Sequence, residues 1–291
     1  DGDRAERLRQ MVRPFVLRRV KTDRSVIDDL PPCTTTIEHA TLTPEQATLY
    51  EQAVSGMMGE LGEAEGMRRR GLVLAMLVRL KQICNHPGLV EGDADSSEIG
   101  IDPEAIRNRS GKCRRLCEML EEVQASGSKA LVFTQFRRMG HLLVSMLRRT
   151  LDREILFLHG GTPTAKRQEM VDRFQEAGND IPVFVLSLKA GGVGLNLTAA
   201  NHVFHFDRWW NPAVENQATD RAFRIGQTRA VQVHKFVCSG TLEERIDRMI
   251  ESKVELAKNI VGSGENWLTE LDTDELRNLL TFRGGDFGDD E

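Results

Sequence analysis

A chain of 291 residues, 40% hydrophobic and 29% charged, is long enough for one large or two small domains, each with its own core. No apolar run approaches the roughly 20 residues a membrane helix needs, and the N-terminus lacks the apolar stretch of a signal peptide. The net charge of −5 is uneven: residues 101–260 hold 24 Lys+Arg against 19 Asp+Glu and residues 261–291 hold 2 against 9, so a polyanionic partner is not excluded.

The first 110 residues read as mainly helical. Arg4–Val20, Pro44–Gly59 and Leu72–Cys84 have helical periodicity, Thr34–Thr41 reads as a strand, and Gly92–Arg109 is acidic and loop-like. From Gly111 the pattern alternates. Helix-like Lys112–Gln124 precedes the apolar run Ala130–Phe133, and helix-like Arg137–Arg149 precedes Ile155–Leu158. Helix-like Ala165–Phe174 follows, then the runs Val183–Leu186 and His202–Phe206, helix-like Val214–Arg224, strand Val231–Val237 and a helix from Thr241 to about Ile260. Short apolar runs alternating with longer helices predict an α/β domain with a parallel sheet covered on both faces. The boundaries expected are 1–110 for a helical appendage, 111–260 for the α/β lobe, and 261–291 for an acidic tail. In that tail one helix is expected, Thr273–Leu280, before a disordered Gly/Asp-rich end.

Five cysteines, Cys33, Cys84, Cys113, Cys117 and Cys238, are an odd number in apolar surroundings and suit reduced thiols. Cys84, His86, Cys113 and Cys117 could be a zinc quartet, but neither half has CxxC spacing, so core thiols and no metal are expected. The Gly-Lys pair of IRNRSGKC (106–113) is not a phosphate loop: Ile106 stands at the first glycine and Cys113 at the magnesium-binding hydroxyl. SLKAGGVGLNL (187–197) opens like a dinucleotide fingerprint, but only four residues separate it from the next strand. A crossover helix needs about ten or more. That leaves a tight turn without a ligand, or a loop whose amides and Lys189 meet backbone phosphates.

KALVFTQF (129–136), LHGGTPTAKRQEMVDRF (158–174), LSLKAGGVGLNLTAANHVFHFDRWWNP (186–212) and QATDRAFRIGQTR (217–229) stand in order along the chain. In order and spacing they resemble the second-lobe motifs of SWI/SNF-type DNA translocases, helicase-like ATPases of superfamily 2. RPFVLRRVK (13–21), LPP (30–32) and RLKQICNHP (79–87) resemble that family's linker and helical protrusion, and WLTELDTDELRNLL resembles bacterial members. Phe223 stands where most members have His, and Leu188 where many have Thr. The resemblance implies a RecA-like lobe, with ATP in a cleft between it and an N-terminal RecA-like lobe of the same protein that holds most of the ATP and Mg2+. A chain that opens on Asp1 reads as the later part of a longer protein.

On this resemblance Arg224 is the main arginine finger, Arg221 its partner and Gln217 a polar contact, at helical spacing on one face. Gly192 and Gly194 are assigned to the nucleotide side. Thr134, Gln135, Gly160, Gly161, Thr162, Ser187, Lys189, Gly191 and Gly192 are assigned to DNA, with Trp210 stacking on a base and Trp209 packed inside. His159, His205 and His234 read as structural. The implied partners are double-stranded DNA and the first lobe, in a monomer located in the nucleoid or nucleus. A non-catalytic nucleic-acid-binding or adaptor module is the alternative.

Overall fold

The protein is described from a computed structural model over residues 30–62, 64–91, 102–187, 194–252 and 268–283. Its helices are α1 (Pro44–Gly62), α2 (Gly66–Asn85), α3 (Pro103–Asn108), α4 (Gly111–Ala125), α5 (Arg137–Leu151), α6 (Thr164–Gln175), α7 (Pro212–Thr219), α8 (Leu242–Ser252) and α9 (Thr273–Leu280). The strands are β1 (Cys33–Ala40), β2 (Ala130–Thr134), β3 (Ile155–Leu158), β4 (Val183–Ser187), β5 (His202–His205) and β6 (Val231–Cys238). Every strand pairing is parallel, in the order β1-β6-β5-β2-β4-β3.

Successive side chains of a strand point to opposite faces, so a strand apolar throughout must be covered twice. Ala130, Val132, Val183, Val185 and Phe204 enter one buried cluster with α4 and α5. Their neighbours Leu131, Phe133, Phe184, Leu186 and Val203 enter a second with Phe174 of α6 and Ala218 of α7. This is the α/β, RecA-like layering expected from the sequence. Among the described residues no helix is long and apolar enough to cross a membrane.

Two departures concern the first 110 residues. The strand expected in the helical appendage, β1, is instead the edge strand of the lobe's sheet, paired with β6 from Cys33↔Val231 to Ala40↔Cys238. Residues 92–109 are not all loop: Pro103–Asn108 form α3, capped by the Asp102 carboxylate accepting from the Glu104 amide. Helix α9 occupies its expected residues behind a capping box of Asp272 and Glu275, and buries Leu276 and Leu280 in a third cluster. That cluster holds Tyr50 and Val54 of α1, Met76 and Leu80 of α2, and Leu242 and Ile246 of α8. Apolar burial thus ties α9 to helices at the other end of the chain. The helix expected at Arg4–Val20, residues 253–260 of the last lobe helix and the Gly/Asp-rich end lie outside the described residues.

Trp210 also belongs to the third cluster, which reverses the sequence expectation. It is 2% exposed, with Lys81 Nζ 3.6 Å from its ring centroid, whereas Trp209 is half-buried. The backbone dictates the exchange. Trp210 takes a left-handed conformation (φ 50°), rare and costly for a bulky residue, and the large buried ring offsets that strain. Asn211 then caps α7, its side chain accepting from the Ala213 amide, with Pro212 opening the helix.

A buried polar network joins the layers. Lys112 Nζ lies 2.8 Å from Glu243 Oε1, both side chains fully buried, and donates to Asn85 Oδ1 at 3.1 Å. Burial alone would depress the Lys112 ammonium, but the Glu243 carboxylate holds it above its ordinary value. Glu243 also accepts from the Cys238 amide, and Asn85 Nδ2 donates to Asp207 Oδ2 at 3.0 Å. SGKC now has a structural meaning. Ser110 caps α4, Lys112 is the buried cation, and a side chain on Gly111 would sit 1.9 Å from the Thr41 carbonyl oxygen.

Two stability measurements check this packing. Lys112→Met leaves Glu243 charged and unpaired in the interior and is expected to cost about 3–5 kcal/mol; adding Glu243→Leu recovers a large part of it. Trp210→Ala opens a cavity in the third cluster and is expected to cost about 3–5 kcal/mol, against a much smaller loss for Trp209→Ala. Urea unfolding of the four proteins reads both, and equal losses for the two tryptophans would contradict the burial order.

Candidate functional site

Thr134, Ser187 and the Gly160–Thr162 loop lie at the carboxyl ends of the parallel strands, where open α/β sheets bind ligands, whereas Arg221 and Arg224 lie between α7 and the start of β6. Register aligns Thr134 of β2 with Ser187 of β4, and Leu158 of β3 with Leu186. The loops leaving β2, β3, β4 and β5 therefore emerge on one edge.

Not every expected contact faces outward there. Thr134 is fully buried and its hydroxyl donates to Asp207 Oδ2 at 2.6 Å. The Gln135 amide donates to Asp207 Oδ1 at 2.9 Å, and its side chain to the Arg208 carbonyl at 2.8 Å. Thr134 is thus turned inward to hold Asp207, a correction to its assignment as an outward DNA contact, while the half-buried Gln135 holds Asp207 through its backbone and Arg208 through its side chain. Burial raises the Asp207 carboxyl, opposed by the Thr134 hydroxyl, Lys112 and the Gln135 amide. Ser187 is also buried, at 5% exposure. Lys189, Gly191 and Gly192 lie outside the described residues; Gly194 follows them at φ 105°, a conformation that favours glycine.

After β3 the chain does open to solvent. Gly160 and Gly161 are exposed, while Thr162 is buried, its hydroxyl accepting from the His159 amide at 3.1 Å and its own amide donating to the His159 carbonyl at 2.9 Å. Arg167 of α6 donates to the Thr162 and Gly160 carbonyls at 2.8 and 3.3 Å. Arg137 opens α5 alongside, its Nη1 3.7 Å from where a Gly161 Cβ would stand. The sequence reading missed Arg137 and Arg167. A signal was present: Arg137-Arg138 opens a helix at its positive end, where cations are disfavoured unless something else needs them.

The arginine pair is placed differently from expectation. Helix α7 ends at Thr219, so Gln217 is helical and exposed while Arg221 and Arg224 occupy the turns that follow. Irregular turn bonds replace the helix: Arg221 N and Ala222 N make i→i+3 bonds to the Ala218 and Thr219 carbonyls, Arg224 N reaches only the Ala222 carbonyl, and Gln227 N bonds the Arg224 carbonyl. Two contacts divert the carbonyls a helix would use. The Leu197 amide takes the Arg221 carbonyl at 2.9 Å, and Gln227 Nε2 reaches the Ala222 carbonyl at 3.2 Å. The same Gln227 nitrogen donates to the Thr198 and Ala200 carbonyls at 3.1 and 2.8 Å, clamping the arginine turn to the loop before β5. Gln227 is the third residue the sequence reading missed.

The two guanidiniums lie near enough to act on each other although no shared helical face places them. Arg221 is half-buried and Arg224 exposed. Burial first, and then the neighbouring Arg224 charge, depress the Arg221 guanidinium. Two cations that feel each other, one of them exposed, form a receptor for an anion.

Elsewhere, Cys84, His86, Cys113 and Cys117 do not converge. Among the described residues the one close group of such ligands is Cys84, Cys238 and Glu243, where Glu243 is already paired with Lys112. A cavity of about 630 Å³ lies at the opposite edge of the sheet, and the charged groups lining it are engaged, as in the 3.0 Å pair of Arg153 with Asp180.

The profile of the helicase conserved C-terminal domain matches residues 111–226, and that of the SNF2-related domain matches residues 1–89. The protein YwqA of Bacillus subtilis is 47% identical over 97% of this chain, and the mouse SWI/SNF-related matrix-associated actin-dependent regulator of chromatin subfamily A member 1 is 35% identical over 91%. The chain spans 30% and 25% of the length of these two relatives. Among solved structures, the SWI2/SNF2 ATPase core of Sulfolobus solfataricus in complex with double-stranded DNA superposes with a TM-score of 0.75, at 41% identity over 96% of this chain and 56% of that one. The C-terminal domain of the Sulfolobus solfataricus SWI2/SNF2 ATPase superposes with a TM-score of 0.71, at 38% identity over 86% of this chain and 99% of that one. With that domain matched over almost its whole length at 38% identity, the chain belongs to the SWI2/SNF2 family of helicase-like ATPases.

Proposed function

We propose that this chain is the second motor lobe of an ATP-dependent double-stranded DNA translocase, closing on a phosphate-gripping first lobe of the same protein. The observation that carries the reading is the paired guanidinium turn, held by Gln227 and the Leu197 amide, with Arg224 exposed. The γ-phosphoryl group of ATP spreads negative charge over its oxygens as it transfers, and a planar, permanently charged fork answers that charge. Arg224, the exposed member, acts as the main finger; Arg221, restrained by its buried stem and backbone bond, supports it; Gln217 makes a polar contact beside them. Gly194 and the preceding Gly192 shape the nucleotide side of the cleft.

The turn's side chains are cations and an amide, a donor set for anions, so magnesium falls to the other lobe. Carboxylates and other oxygen ligands are what Mg2+ requires.

The DNA side is formed by the Gly160–Thr162 loop and the segment with Lys189, Gly191 and Gly192, whose amides and lysine suit backbone phosphates. The Sulfolobus relative solved with double-stranded DNA supports this assignment. Thr134, Gln135 and Ser187 contribute by shaping the edge. Trp210 contributes by anchoring the segment between the two surfaces. The protein works as a monomer in the nucleoid or nucleus.

Two outcomes test the reading. The chain alone is expected to hydrolyse ATP negligibly with or without duplex DNA, because it carries no phosphate loop; robust turnover by a pure preparation would overturn the half-site. In the ATPase that carries this lobe, Arg224→Ala is expected to lower kcat by about 10³-fold with little change in nucleotide affinity. Arg224→Lys should be nearly as poor, since a point charge cannot reproduce the fork. Turnover within a few-fold of the parent enzyme would remove Arg224 from the finger role.

A further inference from the structure

We propose that His159, Gly161 and Arg137 form a phosphate site that takes up a proton as it binds the DNA backbone. The inference rests on the reading above that the Gly160–Thr162 loop meets DNA, and it adds a residue and a proton to it.

Without an anion the loop is latched on itself. The Gly161 amide donates to His159 Nδ1 at 3.1 Å, so the neutral ring carries its hydrogen on Nε2. The site is tight: a Cβ on Gly161 would lie 3.2 Å from His159 Cε1, 3.3 Å from Nδ1 and 3.7 Å from Arg137 Nη1. In this state the amide beside Arg137 is occupied by an imidazole nitrogen. A proton from solvent on Nδ1 removes that acceptor and leaves two donors facing each other next to a guanidinium. Such a cluster is unfavourable when empty and suited to a backbone phosphate, whose oxygen can accept from both donors and whose single negative charge offsets one of the two positive ones. Anion and proton therefore favour each other.

The charged surroundings agree. Burial, then Arg137, His141 and Arg167, hold the His159 imidazole below its ordinary value, and among the described residues no carboxylate acts on it. These groups come from α5 (Arg137, His141) and α6 (Arg167); β3 contributes the uncharged Phe157 ring, 4.9 Å from the His159 ring. His141, 5.7 Å from His159 between ring centroids, is likewise depressed by burial and Arg137, and its Nε2 is buried without a hydrogen-bond partner. The phosphate supplies the negative charge that this cluster lacks. Because the free imidazole has the lower pKa and the bound one the higher, affinity should rise as pH falls through the bound value and level off below the free one.

The test measures binding of a fluorescently labelled DNA duplex to the chain at constant ionic strength from about pH 8 to 5.5, with calorimetry in buffers of different ionisation heat to count protons. Several-fold tighter binding at the acid end is expected, with net proton uptake on binding. His159→Gln keeps an acceptor for the Gly161 amide but cannot be protonated; with an unchanged melting temperature it should bind DNA with the pH-dependent component lost. His141→Gln should keep that component, and Arg137→Gln should weaken binding at every pH and lower the logarithmic salt slope by about one. Equal proton uptake by the parent and His159→Gln, or loss of linkage in His141→Gln alone, would overturn the proposal. If inorganic phosphate alone gave the same uptake through His159, the ligand would be a free anion and the backbone assignment would fall. Failure to bind duplex at any pH would sink the DNA-facing reading itself, whereas binding without linkage sinks only the protonated latch.

Discussion

The buried pair of Lys112 with Glu243 is the constraint on which the rest of the structure hangs. Two charges withdrawn from water are tolerated only when every remaining donor and acceptor finds a partner. Here the partners come from four elements. Asn85 at the end of α2 takes one Lys112 proton, the Cys238 amide at the end of β6 donates to Glu243, and Asn85 passes the network to Asp207 beyond β5. Asp207 in turn is held by Thr134 at the end of β2. Movement of any one of these ends would strand a buried charge, so the helical subdomain and the sheet edge are fixed to each other by the cost of desolvation as well as by apolar packing.

The functional edge is built on that fixed frame by successive short ties. Asp207 stops β5; Arg208 pairs with Glu215 of α7 at 2.9 Å and with Asp247 of α8; Trp210 sinks into the third cluster. Burial would raise the Glu215 carboxyl, but Arg208 and Lys235 draw it down to about 2, so its charge persists and α7 keeps its anchor across the neutral range. The turn that follows α7 is then set by Gln227. Arginines placed by backbone bonds lose less freedom on meeting an anion than arginines on a free helix face, which is what preorganisation requires.

The sheet was legible because strands buried on both faces must be continuously apolar, and runs such as Ala130–Phe133 and Val183–Leu186 have no second interpretation beside helices of this length. The motif loops were legible through resemblance, since their glycines and charges have no periodicity of their own. What escaped notice depends on long-range contacts. Helix α7 stops early because Leu197 and Gln227 claim carbonyls from outside the segment. Trp209 and Trp210 look alike in sequence, and only the left-handed backbone at Trp210 decides which ring is buried. β1 read as part of an appendage because its partner lies near the other end of the lobe.

That pairing has a consequence for how the chain is made. Cys33 waits for Val231, so of the six described strands the first in sequence is the edge strand that docks only after the other five have emerged. Contacts so distant in sequence slow folding, and an unpaired strand edge meanwhile invites pairing with other chains. Cys33–Ala40 is mostly polar or exposed along its first half, with three consecutive threonines, which limits what it can offer a wrong partner. The final sheet is thereby assembled around a core, β2 with β4 and β5, whose strands lie close in sequence and can pair as the ribosome releases them.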